Sequence, residues 1–332
     1  MLRSRAARTA VAVALTLVGL ALLAWQFRTI DLTDLRHNLA LLTIPGFLVV
    51  VAAGFMRFVL RSAAWRSLMD ERVPLADVTA ATIAGDALGN VQPLSLLVSE
   101  PAKVMYLRTP VVFERALAAL LAETALYTMS IAVFIVTGIL AGLTVFPLPD
   151  AVRLLSTVAL VLSVSGLIVA FWIIWRQPAV VSGAASRVPS RRLRALVERI
   201  RAFEKTTYEF ARQRPGKLGV LIACDAAFHL TSFLESYFTL YMLTGRSLPA
   251  EALVFDTLNR VINVVFKAVP FKIGVDEVSA GRLAMALGLP EAVGVSIGLI
   301  RKGRVIVWAA VGLPMMARRA ASRRRADGPM TR

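Results

Sequence analysis

Glu100 and Glu277 stand in polar interruptions of a chain that is 57% hydrophobic. Each follows a proline by seven residues, Pro93 and Pro270, and each precedes another acid by fourteen, Glu114 and Glu291. One offset of 177 residues, Pro93 to Pro270, relates all three pairs. Around them lie Arg57, Arg61, Lys103, Arg260, Arg301 and Arg304, all within or beside apolar runs. An ionisable group in hydrocarbon is costly and usually faces a protein interior or a wet cavity. Guanidinium forks match phosphate and carboxylate, so such a set suits binding of a phosphate group. For the two glutamates, one reading is structural: each caps a broken half-helix or pairs with a nearby Arg. The other is direct contact with a substrate or coupling ion. Arg57 and Arg61 either snorkel to the inner interface or bind phosphate. Arg260, Arg301 and Arg304 sit too deep in apolar sequence to snorkel easily, which favours function. Asn90 and Gln92 are expected to satisfy broken backbone near Pro93.

Several chemistries are excluded. Cys224 is the only cysteine, and His37 and His229 the only histidines, so no metal site, disulfide framework or haem ligation can be read from spacing. There is no glycine-rich phosphate loop and no nucleophile elbow, so neither an enzyme nor a cofactor is expected. Asp225 and His229 lie four apart and share a helix face, as a proton relay or as an internal hydrogen bond. The net charge of +17 does not imply nucleic acid, because the basic residues cluster between and outside the apolar runs.

Those runs approach or exceed the roughly 18–20 residues that cross a bilayer, and they do not alternate as barrel strands do. The expected fold is therefore all-α, a polytopic membrane protein with about six full spans and two re-entrant or broken-helix hairpins. A first span covers about Thr9 to Phe27 and is retained, followed by a polar outside loop from Arg28 to Asn38. Further spans run near Ile44–Ser62, Ala116–Leu143, Val152–Trp175, Leu218–Thr244 and Glu291–Met316. The hairpins fall at Gly85–Arg108 and Pro249–Leu289. Loop charge places both termini and the stretch Arg176–Lys217 inside, where its Arg191–Arg212 portion is expected to lie as a basic amphipathic helix on anionic phospholipid. The single membrane domain, 1–332, then contains a first repeat, 44–143, a basic loop, 176–217, and a second repeat of inverted orientation, 218–316. Gly/Pro-broken segments at matching places in two halves point to a transporter's binding site.

At these residues the chain resembles the flippase-like transmembrane domain of lysylphosphatidylglycerol synthases, which also occurs alone, including in a hopanoid-associated branch. The resemblance runs from about Arg57 to Leu313. It rests on MRFVLRSAAWRSL, GNVQPLSLLVSEPAKVMYLR and VPFKIGVDEVSAGRLAMALGLPEAVGVSIGLIRKGR. Two positions depart from the family pattern: Ser99 replaces the usual Gly before the first acid, and Asp276 the usual Gln before the second. The chain ends soon after its last span, without the soluble aminoacyl-transferase domain of a full synthase, so aminoacyl-lipid synthesis is not expected.

The resemblance implies a bacterial inner-membrane protein that moves a lipid with a polar, phosphate-bearing headgroup between leaflets. Arg57, Arg61, Asn90, Glu100, Lys103, Arg260, Glu277, Arg301 and Arg304 are the candidate substrate-binding residues. The rival is a non-transporting scaffold or accessory subunit of a lipid or glycan biosynthetic enzyme. A scaffold has little reason to hold Arg260, Arg301 and Glu277 inside the membrane. Membrane lipid is the expected partner under the first reading. A second copy of the chain or a biosynthetic enzyme stays open as a further one.

Overall fold

The computed structural model describes residues 32–69, 73–91, 95–109, 111–176, 215–266 and 274–326. The expected first span, most of the basic loop, and both Pro93 and Pro270 lie outside these residues. The described residues form ten helices and no strand: α1 (Leu32–Leu41), α2 (Thr43–Leu68), α3 (Leu75–Val91), α4 (Ser95–Tyr106), α5 (Phe113–Val145), α6 (Asp150–Arg176), α7 (Pro215–Thr244), α8 (Pro249–Val265), α9 (Val275–Ala286) and α10 (Glu291–Ala326). Four are long and apolar enough to cross a membrane: α2, α5, α6 and α7. The helix α10 has the length but not the apolarity, because Arg301, Lys302 and Arg304 interrupt it and find partners inside the bundle.

The polar stretch expected as a loop up to Asn38 is instead helical from Leu32. Leu35, Asn38 and Leu42 are buried at helical spacing, and Leu35 packs on Ala292 and Val295 of α10. A short amphipathic helix with three inward positions gives too weak a periodic signal to be separated from a loop. Helix starts follow local chemistry elsewhere. Pro249 opens α8, where its missing N–H costs nothing. Gly274, with φ of 79°, supplies the left-handed turn from which α9 begins, a conformation that side-chain-bearing residues rarely adopt.

The packing is reciprocal between 43–145 and 215–326. α2 packs along α7; α3 packs on α10, and in return α8 packs on α5. Helix ends keep nearly one offset: Leu68 with Thr244, Val91 with Val265, Tyr106 with Ala286. Two apolar clusters result. One joins the end of α2 (Ala64, Trp65, Leu68) to α3, α4, the start of α5 and Leu221 of α7. The other joins the end of α7 (Leu240, Leu243) to α8, α9, α10 and Val50 of α2. Going along α2 leads from the second cluster to the first, and along α7 from the first to the second. The two helices are therefore antiparallel. The halves differ in one respect: α4 packs mainly on α3, whereas α9 packs mainly on α10.

Outside these clusters many large apolar side chains face outward, while several charged ones face inward. No residue of the apolar window of α6 is buried, while Glu123, Asp256 and Glu277 are each 1% exposed. In water such a surface would associate indiscriminately, and in a bilayer it is the solvated face. Close approach of helices relies on missing side chains. A Cβ on Gly138 of α5 would lie 1.7 Å from Thr257 Oγ1 of α8, and one on Gly294 of α10 2.0 Å from the Ala280 carbonyl of α9.

Candidate functional site

Between the two apolar clusters, α2 and α7 carry their polar residues. Arg57 and Arg61 lie one turn apart on α2 and turn inward rather than snorkelling. Arg57 Nη2 is 2.7 Å from Glu235 Oε2 of α7, and its Nη1 donates to Ser232 Oγ at 3.2 Å. Glu235 also accepts from Arg304 of α10, so one carboxylate joins α2, α7 and α10. Ser232 Oγ passes its hydrogen bond to Asp256 Oδ1 of α8 at 2.9 Å, and Asp256 Oδ2 holds Arg260 Nη2 at 3.1 Å. Arg61 Nη2 meets Glu123 Oε2 of α5 at 2.9 Å. Aromatic faces complete the setting: Arg61 lies 3.6 Å from the Tyr127 ring centroid and Arg260 4.1 Å from that of Phe134. Burial of so many charges is tolerable only because each has a counter-charge, a ring face or a hydrogen bond.

A cavity of about 350 Å³ opens beside this network. Its wall carries four cations from three helices: Arg57 and Arg61 of α2, Lys103 of α4 and Arg304 of α10. Asp86 and Glu100 are the carboxylates in the wall; Glu123 and Glu235 stand behind it, holding the arginines from the far side. Lys103 Nζ sits 2.9 Å from Glu100 Oε1, while Glu100 Oε2 has no hydrogen-bond partner among the described residues. Arg61 Nη1 likewise has none. The wall thus leaves one guanidinium nitrogen and one carboxylate oxygen without a partner among the described residues. Gly85 permits this arrangement, since a Cβ there would lie 2.3 Å from Cγ of Lys103.

The structure divides the candidate residues in two. Arg57, Arg61, Asn90, Glu100, Lys103 and Arg304 line the cavity; Arg260, Glu277 and Arg301 do not. Asn90 donates to Asp86 Oδ2 at 3.2 Å; Gln92 and the backbone around Pro93 lie outside the described residues. Glu277, whose spacing matches that of Glu100, accepts the Gly274 N–H at 2.8 Å at the start of α9 and lies 3.6 Å from Lys302. That is the capping arrangement, and it arises because the second acid falls in the first turn of its helix. Glu100 falls in the second turn, where no free N–H awaits it. Arg301 donates to Ser236 Oγ at 3.0 Å, tying α10 to α7. His229 reaches Asp225 only by way of Ser130: its Nε2 is 2.9 Å from Ser130 Oγ, which also hydrogen-bonds the Asp225 carboxylate, and its ring stacks on Phe134.

Glu123 and Glu235 were given no place in the site by the sequence. Tyr127, Phe228 and Trp308 of the cavity wall went unnoticed. Tyr127 follows Glu123 by one turn, so the two meet Arg61 together, and that spacing is the only signal the sequence offers. Lys302 with Asp276 at 3.0 Å was equally hidden, since its partner sits on another helix.

Among families of known proteins, the one described as lysylphosphatidylglycerol synthase TM region matches residues 9–312. No curated protein and no solved structure matches the chain.

Proposed function

Because this chain belongs to the lysylphosphatidylglycerol synthase transmembrane-region family, we propose that it translocates a lipid with a phosphate-bearing headgroup between the leaflets of a bacterial inner membrane. The observation that carries the reading is the cavity wall: four cations from three helices, with two of their counter-charges placed behind them. A headgroup phosphate entering there accepts from the spare guanidinium donors without displacing Glu123 or Glu235. Each arginine offers five N–H groups, and the ion pairs occupy only part of them. The balance of charge in the network keeps the site from holding an anion too tightly. A conducting site must bind firmly enough to admit its passenger and weakly enough to release it. No bond is made or broken in this role, so the protein works as a carrier and not as an enzyme.

The reciprocal packing and the antiparallel course of α2 and α7 support two repeats of inverted orientation, as does the shared offset of the helix ends. Under that reading the site sits at the repeat interface, the usual place for a carrier's site.

Glu235 makes the test feasible. It binds both Arg57 and Arg304, so removing either leaves the carboxylate paired and the fold supported. In proteoliposomes, Arg304→Met and Arg57→Met are each expected to slow lipid translocation at least tenfold, about 1.4 kcal/mol on the barrier. Arg246→Ala, on the exposed turn after α7, should leave the rate unchanged. Wild-type rates in both folded cavity variants would favour the scaffold reading instead.

A further inference from the structure

A second concavity, of about 340 Å³, lies between α5, α6 and α8 on the outward surface. Its lining is apolar: Ile135 of α5, Leu162 and Leu167 of α6, and Val261 and Val264 of α8 are typical. Small residues on α6 create the space, because Ala159, Ser163, Gly166 and Ala170 recur at helical spacing along one face. A Cβ at Gly166 would meet nothing within 4 Å. Thr128 of α5 lines this groove and the cationic cavity alike. Its hydroxyl already donates to the Thr124 carbonyl at 2.7 Å, so it offers the groove no free donor. On α8 the same boundary falls between Asn263, in the polar wall, and Val264, in the groove.

We infer that the groove holds a hydrocarbon chain of the lipid whose phosphate headgroup occupies the cationic cavity. Thr128 and Asn263 mark the level where headgroup gives way to chain. This rests on the translocation reading and deepens it: the substrate is recognised at both ends, not by its headgroup alone. An amphiphile is the ligand that satisfies a cationic chamber and a dry groove sharing one wall. A water-soluble phosphate ester would leave the groove empty. A neutral glyceride would leave the cations without a ligand. Shape agrees with chemistry here, since ligand sites combine a mostly apolar lining with a few placed polar groups. The groove faces the bilayer, with Leu162 67% exposed and Val265 65% exposed, so a chain can enter sideways.

The test uses the full-length protein in vesicles with a phosphatidylglycerol that bears a photoreactive group on one acyl chain. Adducts are expected on residues 128–135 and 159–170. Unlabelled phosphatidylglycerol should suppress them at several-fold lower concentration than diacylglycerol, which has the chains without the phosphate. Gly166→Phe, which projects a ring into the groove from a position where a Cβ meets nothing within 4 Å, should abolish these adducts and slow translocation; Gly166→Ala should do neither. Equal suppression by the two lipids would overturn the inference, since the groove would then take bulk lipid. Unaltered translocation by a folded Gly166→Phe protein would overturn it too, while leaving the translocation reading standing. Failure of the wild-type protein to move any phospholipid would instead strike that reading, and the suppression ratio would still report whether groove and cavity share one ligand.

Discussion

Glu123 and Glu235 hold their arginines differently, and the difference decides how each position responds to change. Glu235 serves two guanidinium groups, whereas Glu123 is the sole acidic partner of Arg61 among the described ion pairs. Truncating Glu123 removes the one ion-pair partner that Arg61 has among the described residues and leaves its guanidinium against the Tyr127 ring. Breaking a buried pair on one side costs about 3–5 kcal/mol, and replacing both members with apolar residues often restores the loss. Glu123→Ala is therefore expected to lower the thermal midpoint in detergent sharply, and Arg61→Leu combined with Glu123→Leu to recover most of it. An unchanged midpoint for Glu123→Ala would mean that the pair carries no structural weight. Which residues are charged at depth was legible in the sequence, because ionisable groups in apolar runs declare themselves. Which of them share a carboxylate was not, since Arg57, Glu235 and Arg304 come from three separate helices. The matched spacing of Glu100 and Glu277 also concealed two roles, one in the cavity wall and one at a helix start.

Helices that bury few large side chains depend on how closely their backbones approach. The pair α9 and α10 meets where Gly294 faces the Ala280 carbonyl, and the pair α5 and α8 where Gly138 faces Thr257. A methyl at Gly294 would meet backbone, which cannot rotate away. Gly294→Ala is accordingly expected to destabilise by about 1–3 kcal/mol, the usual range for overpacking. Gly219→Ala in α7, where a Cβ meets nothing within 4 Å, should be neutral or slightly stabilising. Thermal unfolding of both proteins side by side checks the contrast, and equal midpoints would contradict it. Element positions were mostly readable from hydrophobic runs: expected and observed ends of α5, α6 and α7 differ by a few residues. The helix α1 was missed because one buried turn of a short segment resembles a loop. The tight glycine contacts were missed because a glycine in an apolar run carries no sign of what lies opposite.

At the scale of the molecule, two halves of like packing surround one charged interior. They differ in how their third helices are held, α4 mainly on α3 but α9 mainly on α10. Loop charge predicts the orientation that goes with this. With Cys224→Ser as background, Ala195→Cys should resist an impermeant thiol reagent in intact cells, and Gly245→Cys should react. Labelling of position 195 from outside would contradict the inverted arrangement. Loop charge in the sequence already predicted opposite courses for α2 and α7, and their packing between the two apolar clusters agrees. The measurement that tests the central claim most directly follows a headgroup-labelled, phosphate-bearing lipid in sealed vesicles as an impermeant quencher is added. Protein-free vesicles keep their inner-leaflet label protected. Vesicles holding the wild-type protein are predicted to lose nearly all of the label, with the inner-leaflet portion lost more slowly in Arg304→Met. A protected fraction that stays the same with and without folded wild-type protein would contradict the account.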